Sequence, residues 1–483
     1  MLRWIEEFWP ELIGAVAVVI AIVLTTSVVL NKRNERAAVG WVGVIWLNPF
    51  IGAIIYLLFG INRIKRRAID LRPDRNLRQA PPSAMRSGRE ALESSLWPVH
   101  RHLVSTAALV DKVVEMPLTS GNVITPLEDG DTAYPDMINA IDAAERSVAL
   151  CTYIFNRDNV GLLFAAALDR AVKRGLEVRV LVDGFGSYYS VPPIVSELRR
   201  RGVTVERFLH SFVPWRMPYL NLRSHQKILV VDGRIGFTGG MNIRKEHYLA
   251  FKPRFPVRDL QFRVEGPVVA QMMRVFADDW RFTTEESLEG EIWFPENPEC
   301  GSVLARGIYD GPDESSEKLR WVILGALSEA RRKIQIVTPY FLPDEALMTG
   351  LRLAALRGVE IDVVLPQKNN LGFVAWAAMA NLDQVMSAGI KVWMSAPPFD
   401  HSKVMVVDGA WTLLGSTNWD PRSLRLNFEF DLECYSADLA AEIEVLIGKK
   451  IAISRRLSLQ EWEDRPFVTK VRDGIARLFS PYL

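Results

Sequence analysis

The chain has 483 residues, a length for about three domains at ~150 residues each. Its apolar (49%) and charged (24%) fractions are those of a folded protein and exclude a mostly disordered one. Lys+Arg (58) nearly balance Asp+Glu (57) at net +1, so no bulk charge marks a nucleic-acid binder. Cys151, Cys300 and Cys434 are far apart and form no CxxC, which argues against a disulfide framework or a thiolate zinc site.

Leu12 to Leu30 is an uncharged, mostly apolar run. As a helix it spans about 28 Å, close to the hydrocarbon thickness of a bilayer. A polar link, Asn31 to Arg36, leads to a second uncharged run, Ala37 to Ile61, which carries Trp41, Trp46 and Tyr56. Asn48-Pro49 interrupts it, and the donor missing from proline allows a kink or a re-entrant bend there. The expectation is a membrane hairpin over 1–67, with transmembrane helices over 12–30 and 37–61. A cleaved signal peptide fits less well, because Arg3 is opposed by Glu6, Glu7 and Glu11 and a second apolar run follows. A buried core hairpin is the other alternative. Two spans place both chain ends on one side. That side collects Arg63, Lys65, Arg66, Arg67, Arg72, Arg75 and Arg78 against Lys32, Arg33 and Arg36 in the link, which favours the cytoplasm.

Residues 68–120 read as a linker and adaptor. Asp70 to Gly88 is rich in Arg, Pro and Ser and reads as irregular, while Glu90 to Val114 has helical spacing. His100 and His102 within it read as ordinary surface histidines.

From about residue 121 the chain repeats itself. Ser147 to Phe155 and Lys333 to Phe341 are strand-like, and each is followed by a helix-like stretch. Next come Arg174-Gly175 and Arg357-Gly358 before the strands Val178 to Asp183 and Ile361 to Leu365, then Gly202-Val203 and Gly389-Ile390. Strands alternating with helices predict a layered α/β fold, and so long a repeat predicts two fused homologous domains, 121–300 and 301–483.

The duplication is strict at one place. His225-x-Lys227 is followed by Asp232 and then Gly239-Gly240-Met241-Asn242; His401-x-Lys403 is followed by Asp408 and Gly415-Ser416-Thr417-Asn418, every fixed residue displaced by 176 positions. A repeated β-hairpin explains the Asp-Gly turn but not the His, Lys and Asn. Strand parity puts His225 and Lys227 on one face, and likewise His401 and Lys403. Asp232 and Asp408 fall at the turns, where they tie down the hairpin rather than touch the imidazoles. Asn242 and Asn418 re-enter near the His/Lys faces. Two such faces about a pseudo-two-fold axis make a site for a phosphodiester. Ammonium and amide groups hold nonbridging oxygens, a neutral imidazole attacks phosphorus, and the opposite imidazolium protonates the leaving group. Paired histidines can also bind zinc, but each stands beside a Lys rather than a third ligand, and no HExxH occurs.

The doubled HxK-x4-D-x6-G[GS]xN pattern resembles the phospholipase D superfamily. The N-terminal apolar runs, TPYFLPD at 338–344 and NWDPRSLRLNFE at 418–429 narrow the resemblance to bacterial cardiolipin synthases, over nearly the whole chain. The resemblance implies two fused phospholipase D-like α/β domains with pseudo-two-fold symmetry behind a pair of transmembrane helices. It implies a bacterial inner-membrane, multi-pass phosphatidyltransferase with cytoplasmic catalytic domains, no cofactor, no metal and no nucleic-acid partner. Its substrate is phosphatidylglycerol in the lipid bilayer, and its intermediate a covalent phosphatidyl-histidine. The catalytic set is His225, Lys227, Asp232, His401, Lys403 and Asp408, with His225 as nucleophile and His401 as acid and then base. Lys227, Asn242, Lys403 and Asn418 hold phosphate. An acidic residue downstream of each motif orients its histidine: Glu429, 28 after His401, and Asp259, 34 after His225, with Glu246 as an alternative in the first half. Gly240 stands where many members have Ser, so a hydroxyl contact is expected to be missing there. The alternatives are a phospholipase D hydrolase, a transferase using another alcohol, a nuclease of the superfamily, or an inactive lipid-binding scaffold.

Two segments stay open. The first half carries an extra stretch, Phe208 to Leu222, with Phe212, Trp215, Arg216, Met217, Pro218 and Tyr219; it reads as a packed loop or an interfacial flap. The C-terminal run from Phe467 to Phe479 has helical spacing with Lys470, Arg472 and Arg477 among its apolar residues. It reads as an amphipathic tail on an anionic membrane or as the last packed helix.

Overall fold

The computed structural model describes residues 2–31, 35–59, 88–94, 99–209, 222–312 and 317–480. The arginine-rich linker up to residue 87 and the aromatic stretch 210–221 lie outside the described residues.

At the N-terminus, α1 (Leu2–Asn31) contains an apolar segment of 24 residues, Phe8–Asn31. Among the described residues it is the one helix long and apolar enough to cross a membrane. The second apolar run is not one helix. It forms α2 (Glu35–Leu47) and α3 (Pro49–Phe59), which meet at Asn48. Pro49 suits the first position of a helix, where its missing N–H is not needed, and the Asn48 side chain caps α3 by accepting from Ile51 N–H at 3.1 Å. The Trp41 and Tyr56 rings then meet at 5.2 Å, although a straight helix would keep them about 22 Å apart. So α3 folds back along α2. Gly52 allows the bend, since a Cβ there would lie 2.8 Å from Ile45 Cα. Both short helices rest on α1: Trp46 Nε1–H donates to Thr25 Oγ1 at 3.0 Å, and the Tyr56 hydroxyl lies 3.4 Å from Ser27 Oγ. Ala21, Val28, Ile45 and Tyr56 form a small core among the three helices. At about 20 and 17 Å, α2 and α3 are each too short for the ~30 Å bilayer core. The expected pair of membrane-length helices is one such helix and a folded-back pair of short ones.

The remainder follows the duplicated pattern. The first half runs β1 (Thr119–Glu128), α5 (Asp129–Ala143), β2 (Ser147–Thr152), α6 (Asn159–Lys173), β3 (Glu177–Asp183), α7 (Ile194–Arg200), β4 (Thr204–Phe208), β5 (Arg223–Ser224), β6 (Ile228–Val231), β7 (Ile235–Gly239), β8 (Val257–Arg258), β9 (Leu260–Glu265) and α8 (Val269–Thr284). The second runs β10 (Val303–Asp310), α9 (Lys318–Glu329), β11 (Lys333–Val337), α10 (Glu345–Leu356), β12 (Glu360–Pro366), α11 (Gly372–Met379), α12 (Leu382–Met386), β13 (Lys391–Ser395), β14 (Phe399–Asp400), β15 (Val404–Val407), β16 (Trp411–Gly415), β17 (Asn427–Tyr435), α13 (Ala437–Ala452), β18 (Ser454–Leu457), α14 (Leu459–Glu463) and α15 (Phe467–Leu478). In each half three strands pair in parallel, β2–β3–β4 and β11–β12–β13, as helical crossovers require. The hairpins β6–β7 and β15–β16 join them antiparallel. At the centre β1 pairs antiparallel with both β9 and β10, so one sheet runs through both halves.

The helix α4 (Leu103–Val113) is part of this body. Arg306, fully buried, bonds Asp111 at 2.6 Å and Glu433 at 2.5 Å, tying α4 to the second half.

Candidate active site

The segments leading into the two motifs exchange halves. β5 leaves its own half and pairs in parallel with β17, and His225 N–H donates to the Phe428 carbonyl at 2.9 Å. β14 pairs in parallel with β8, and His401 N–H donates to the Arg258 carbonyl at 2.8 Å. Each histidine is thereby set beside the residue that follows its borrowed partner, Glu429 or Asp259. His225 Nδ1–H donates to both Glu429 oxygens, at 3.0 and 2.9 Å, and His401 Nδ1–H donates to Asp259 Oδ2 at 2.8 Å. The sequence reading paired each acid with the histidine of its own half; the structure crosses them. It also shows that the two acids are equivalent positions. Gly240 N–H bonds the Leu260 carbonyl as Ser416 N–H bonds that of Phe430, so Asp259 matches Glu429. The first half has six more residues between its Asn and its acid, which is why the spacings differ. Glu246, the alternative, is taken by Arg244 at 2.7 Å.

Lys227 and Lys403 are buried behind their histidines, each ammonium donating to the carbonyl of its own histidine, and neither is among the residues that line the cavity. Asn242 and Asn418 line the same cavity; Asn242 Oδ1 accepts from Ile154 N–H at 3.1 Å, and Asn418 donates to Ser423 Oγ at 3.2 Å. Ser416 Oγ donates to Glu429 Oε2 at 2.6 Å. The first half has no such hydroxyl because Asp259 stands in its place: a Cβ on residue 240 would lie 2.3 Å from Asp259 Oδ1.

Asp232 and Asp408, named with the catalytic set, do not line the cavity. Both adopt positive φ, 52° and 53°, at their hairpin turns. Asp232 accepts from the backbone N–H groups of Glu145, Arg146 and Ser147, and Asp408 from those of Arg331, Arg332 and Lys333. They fasten each motif hairpin to the strand before it. Asp408 has a further partner, His102, whose Nε2 lies 2.7 Å from Oδ2. The His102 side chain, at the start of α4, is covered rather than exposed as expected, because α4 packs on the second half.

The cavity, about 410 Å³, lies between the two histidines. Burial, reinforced by the nearby lysines, lowers the His225 pKa to about 4 despite Glu429, and holds His401 well below its usual value. Burial likewise brings Lys227 down to about 7 and Lys403 to about 8. Both imidazoles are therefore neutral, with Nδ1–H fixed on a carboxylate and the lone pair left on Nε2. Sequence reasoning missed several lining residues: Tyr153 edge-on to His225 at 5.3 Å, Tyr340, Asp420, and the cations Arg223, Arg244 and Arg422. It also missed His247, buried 6.3 Å from His401, whose Nδ1 has no hydrogen-bond partner among the described residues. The signal for His247 was the longer insertion after Asn242. Among the described residues no three His, Cys, Asp or Glu side chains gather as a metal site.

Comparison with known proteins decides the family. The model described as "Cardiolipin synthase, PLD-like domain" matches residues 137–280 and 323–450. The chain belongs to the cardiolipin synthase family of the phospholipase D superfamily. A second model, the phospholipase D-nuclease N-terminal segment, matches residues 16–60. Cardiolipin synthase 2 of Staphylococcus epidermidis is 30% identical over 472 residues, covering 94% of each chain. Cardiolipin synthase A of Pseudomonas entomophila is 31% identical, over 99% of this chain and 98% of its own. Among solved structures, phosphatidylserine synthase of Haemophilus influenzae superposes with a TM-score of 0.61 at 16% identity, over 78% of this chain and all of that one. That likeness shows the shared fold alone.

Proposed function

We propose that this family member joins two phosphatidylglycerol molecules into cardiolipin and releases glycerol. The observation that carries the reading is the facing pair of buried histidines, each fixed through Nδ1 to a carboxylate from the other half. His225 Nε2 attacks the phosphorus of the first lipid, and the P–O bond to the glycerol headgroup breaks. The leaving oxygen takes its proton from Nε2 of His401. His401, neutral by itself, takes up that proton from solvent when the phosphodiester anion arrives, because the added negative charge raises its pKa. Lys227, Lys403, Asn242 and Asn418 hold the nonbridging oxygens as charge grows on them. The free headgroup hydroxyl of a second phosphatidylglycerol then gives its proton to His401 and attacks phosphorus, and the bond to His225 breaks.

Cations beyond the two motifs support a lipid acceptor over water. Arg223, Arg244 and Arg422 give the cavity a cationic lining, which suits an acceptor that carries its own phosphate. The test is product analysis with phosphatidylglycerol vesicles. Cardiolipin and glycerol in equal amounts, with added glycerol reversing the reaction, are expected. Dominant phosphatidic acid overturns the reading in favour of hydrolysis.

We also propose that the protein resides in the bacterial cytoplasmic membrane, with α1 crossing it and the α2–α3 pair entering and leaving by the same face. Lys32, Arg33 and Arg36 then fall on the same side as Arg63 to Arg78, while Glu6, Glu7 and Glu11 fall on the other. The positive-inside rule makes the shared basic side, with the catalytic halves, cytoplasmic. A reporter after Leu483 should read cytoplasm and one before Met1 the outside. Cytoplasmic signals from both would restore two full spans.

A further inference from the structure

The helix α15 is inverted relative to an ordinary surface helix. Surface helices turn their apolar stripe inward and their charged face to water. Here Asp473 and Ala476 face the protein and are fully buried, whereas Phe467 (79% exposed), Val468 (78%) and Leu478 (73%) point outward with Val471 and Ile475. Asp473 is tolerated inside because Arg465 and Arg472 bond it at 2.6 and 2.7 Å. The outward stripe runs on into α11: Phe479 meets Phe373 at 5.6 Å, and Phe373 and Trp376 are themselves exposed. Cations border the stripe at Lys470, Arg477 and Arg472, the last lying 4.5 Å over the Trp376 ring.

The inner side of this surface is a wall of the reaction cavity. Ala476 of α15 packs in one cluster with Val374 of α11 and with Tyr340, and Phe399 packs against it. Val374, Tyr340, Phe399 and Leu371 line the cavity between the histidines. A contiguous apolar surface edged with cations, one side-chain layer from a cavity that takes lipid, matches the chemistry of an anionic bilayer surface.

We propose that the outward faces of α11 and α15 lie on the phospholipid bilayer, so that lipid headgroups reach the histidines while their acyl chains stay in the membrane. The inference rests on the lipid-substrate reading above. It is tested on the full chain in phosphatidylglycerol-containing vesicles, in a Cys300→Ser background, with Ile475→Cys carrying an environment-sensitive fluorophore. Quenching by nitroxide on lipid acyl chains, with protection from aqueous iodide, is expected. Quenching by iodide alone, or cross-linking of residue 475 between two copies, overturns the proposal and in the latter case makes the face a protein interface. A Val468→Asp/Ile475→Asp variant should lose at least tenfold in rate on vesicle phosphatidylglycerol and less than threefold on a dispersed short-chain analogue. Equal loss on both substrates also overturns it. The fluorophore reports on the surface whatever reaction the cavity performs, so the two readings fail separately.

Discussion

The two halves carry the same hairpin and the same spacing, yet they set their carboxylates differently. Glu429 is buried, which alone would raise its pKa, but His225, Lys227 and the Ser416 hydroxyl hold it below the ordinary value. Asn427 also donates to it, at 3.1 Å. Asp259 is equally buried and has no hydroxyl beside it; burial pushes it to about 6, with Lys403 and His247 pulling the other way. In the mechanism proposed above, a firmly ionised carboxylate behind His225 strengthens that imidazole as a nucleophile. One that titrates near neutrality, behind His401, suits a group that gains and gives a proton in each turnover. Because the acids are exchanged, each histidine is held by a carboxylate of the other half.

The largest effect should come from removing either imidazole. His225→Ala and His401→Ala should each cost at least about a thousandfold in kcat with phosphatidylglycerol, since each acts in both steps of the proposed mechanism. Near-native turnover in either variant would break the comparison at its root. Next are the acids. Glu429→Gln and Asp259→Asn should each lose roughly a hundredfold or more through misoriented imidazoles. A variant that lost less than threefold would show that its acid does not position the histidine.

Gly240→Ser sharpens the contrast between halves. Its Cβ would stand against Asp259 Oδ1, so the substitution that makes the motifs alike should displace Asp259 and lower kcat by about tenfold. Unchanged or improved activity would show that the Asp259 position is not critical. In the pH profile, Lys227 and Lys403 lose their protons near 7 and 8. kcat/KM should therefore fall as the pH rises through 7 and 8, while His225, at about 4, stays neutral throughout. A rising alkaline arm would contradict the phosphate-holding role of the lysines. The smallest effect should be that of His102→Ala, which leaves Asp408 its three backbone donors. The expected loss is about 1–2 kcal/mol of stability, read by denaturant unfolding, with kcat within threefold.

The α/β repeat and the two motifs were legible because they lie in contiguous residues with fixed spacing. The turn positions of Asp232 and Asp408 were legible too, from the Asp-Gly of each hairpin. The exchange of acids was not legible. It depends on β5 and β14, two-residue strands that pair with the other half, and no periodicity marks so short a pairing. The folded-back α2–α3 pair was visible only as the interruption at Asn48-Pro49, because hydropathy counts length and not direction. His102 looked like a surface residue because its partner, Asp408, lies 306 residues away.

In the proposed mechanism Glu429 serves the nucleophile and Asp259 the acid–base. The most direct measurement uses a phosphatidyl ester of p-nitrophenol, a leaving group that needs no proton, followed by rapid quench and mass mapping of the lipid adduct. Asp259→Asn should show a burst of p-nitrophenol and accumulate lipid on His225, because only the second step still needs His401, and Glu429→Gln should show no burst. A burst in Glu429→Gln with lipid on His401 would reverse the roles of the two halves.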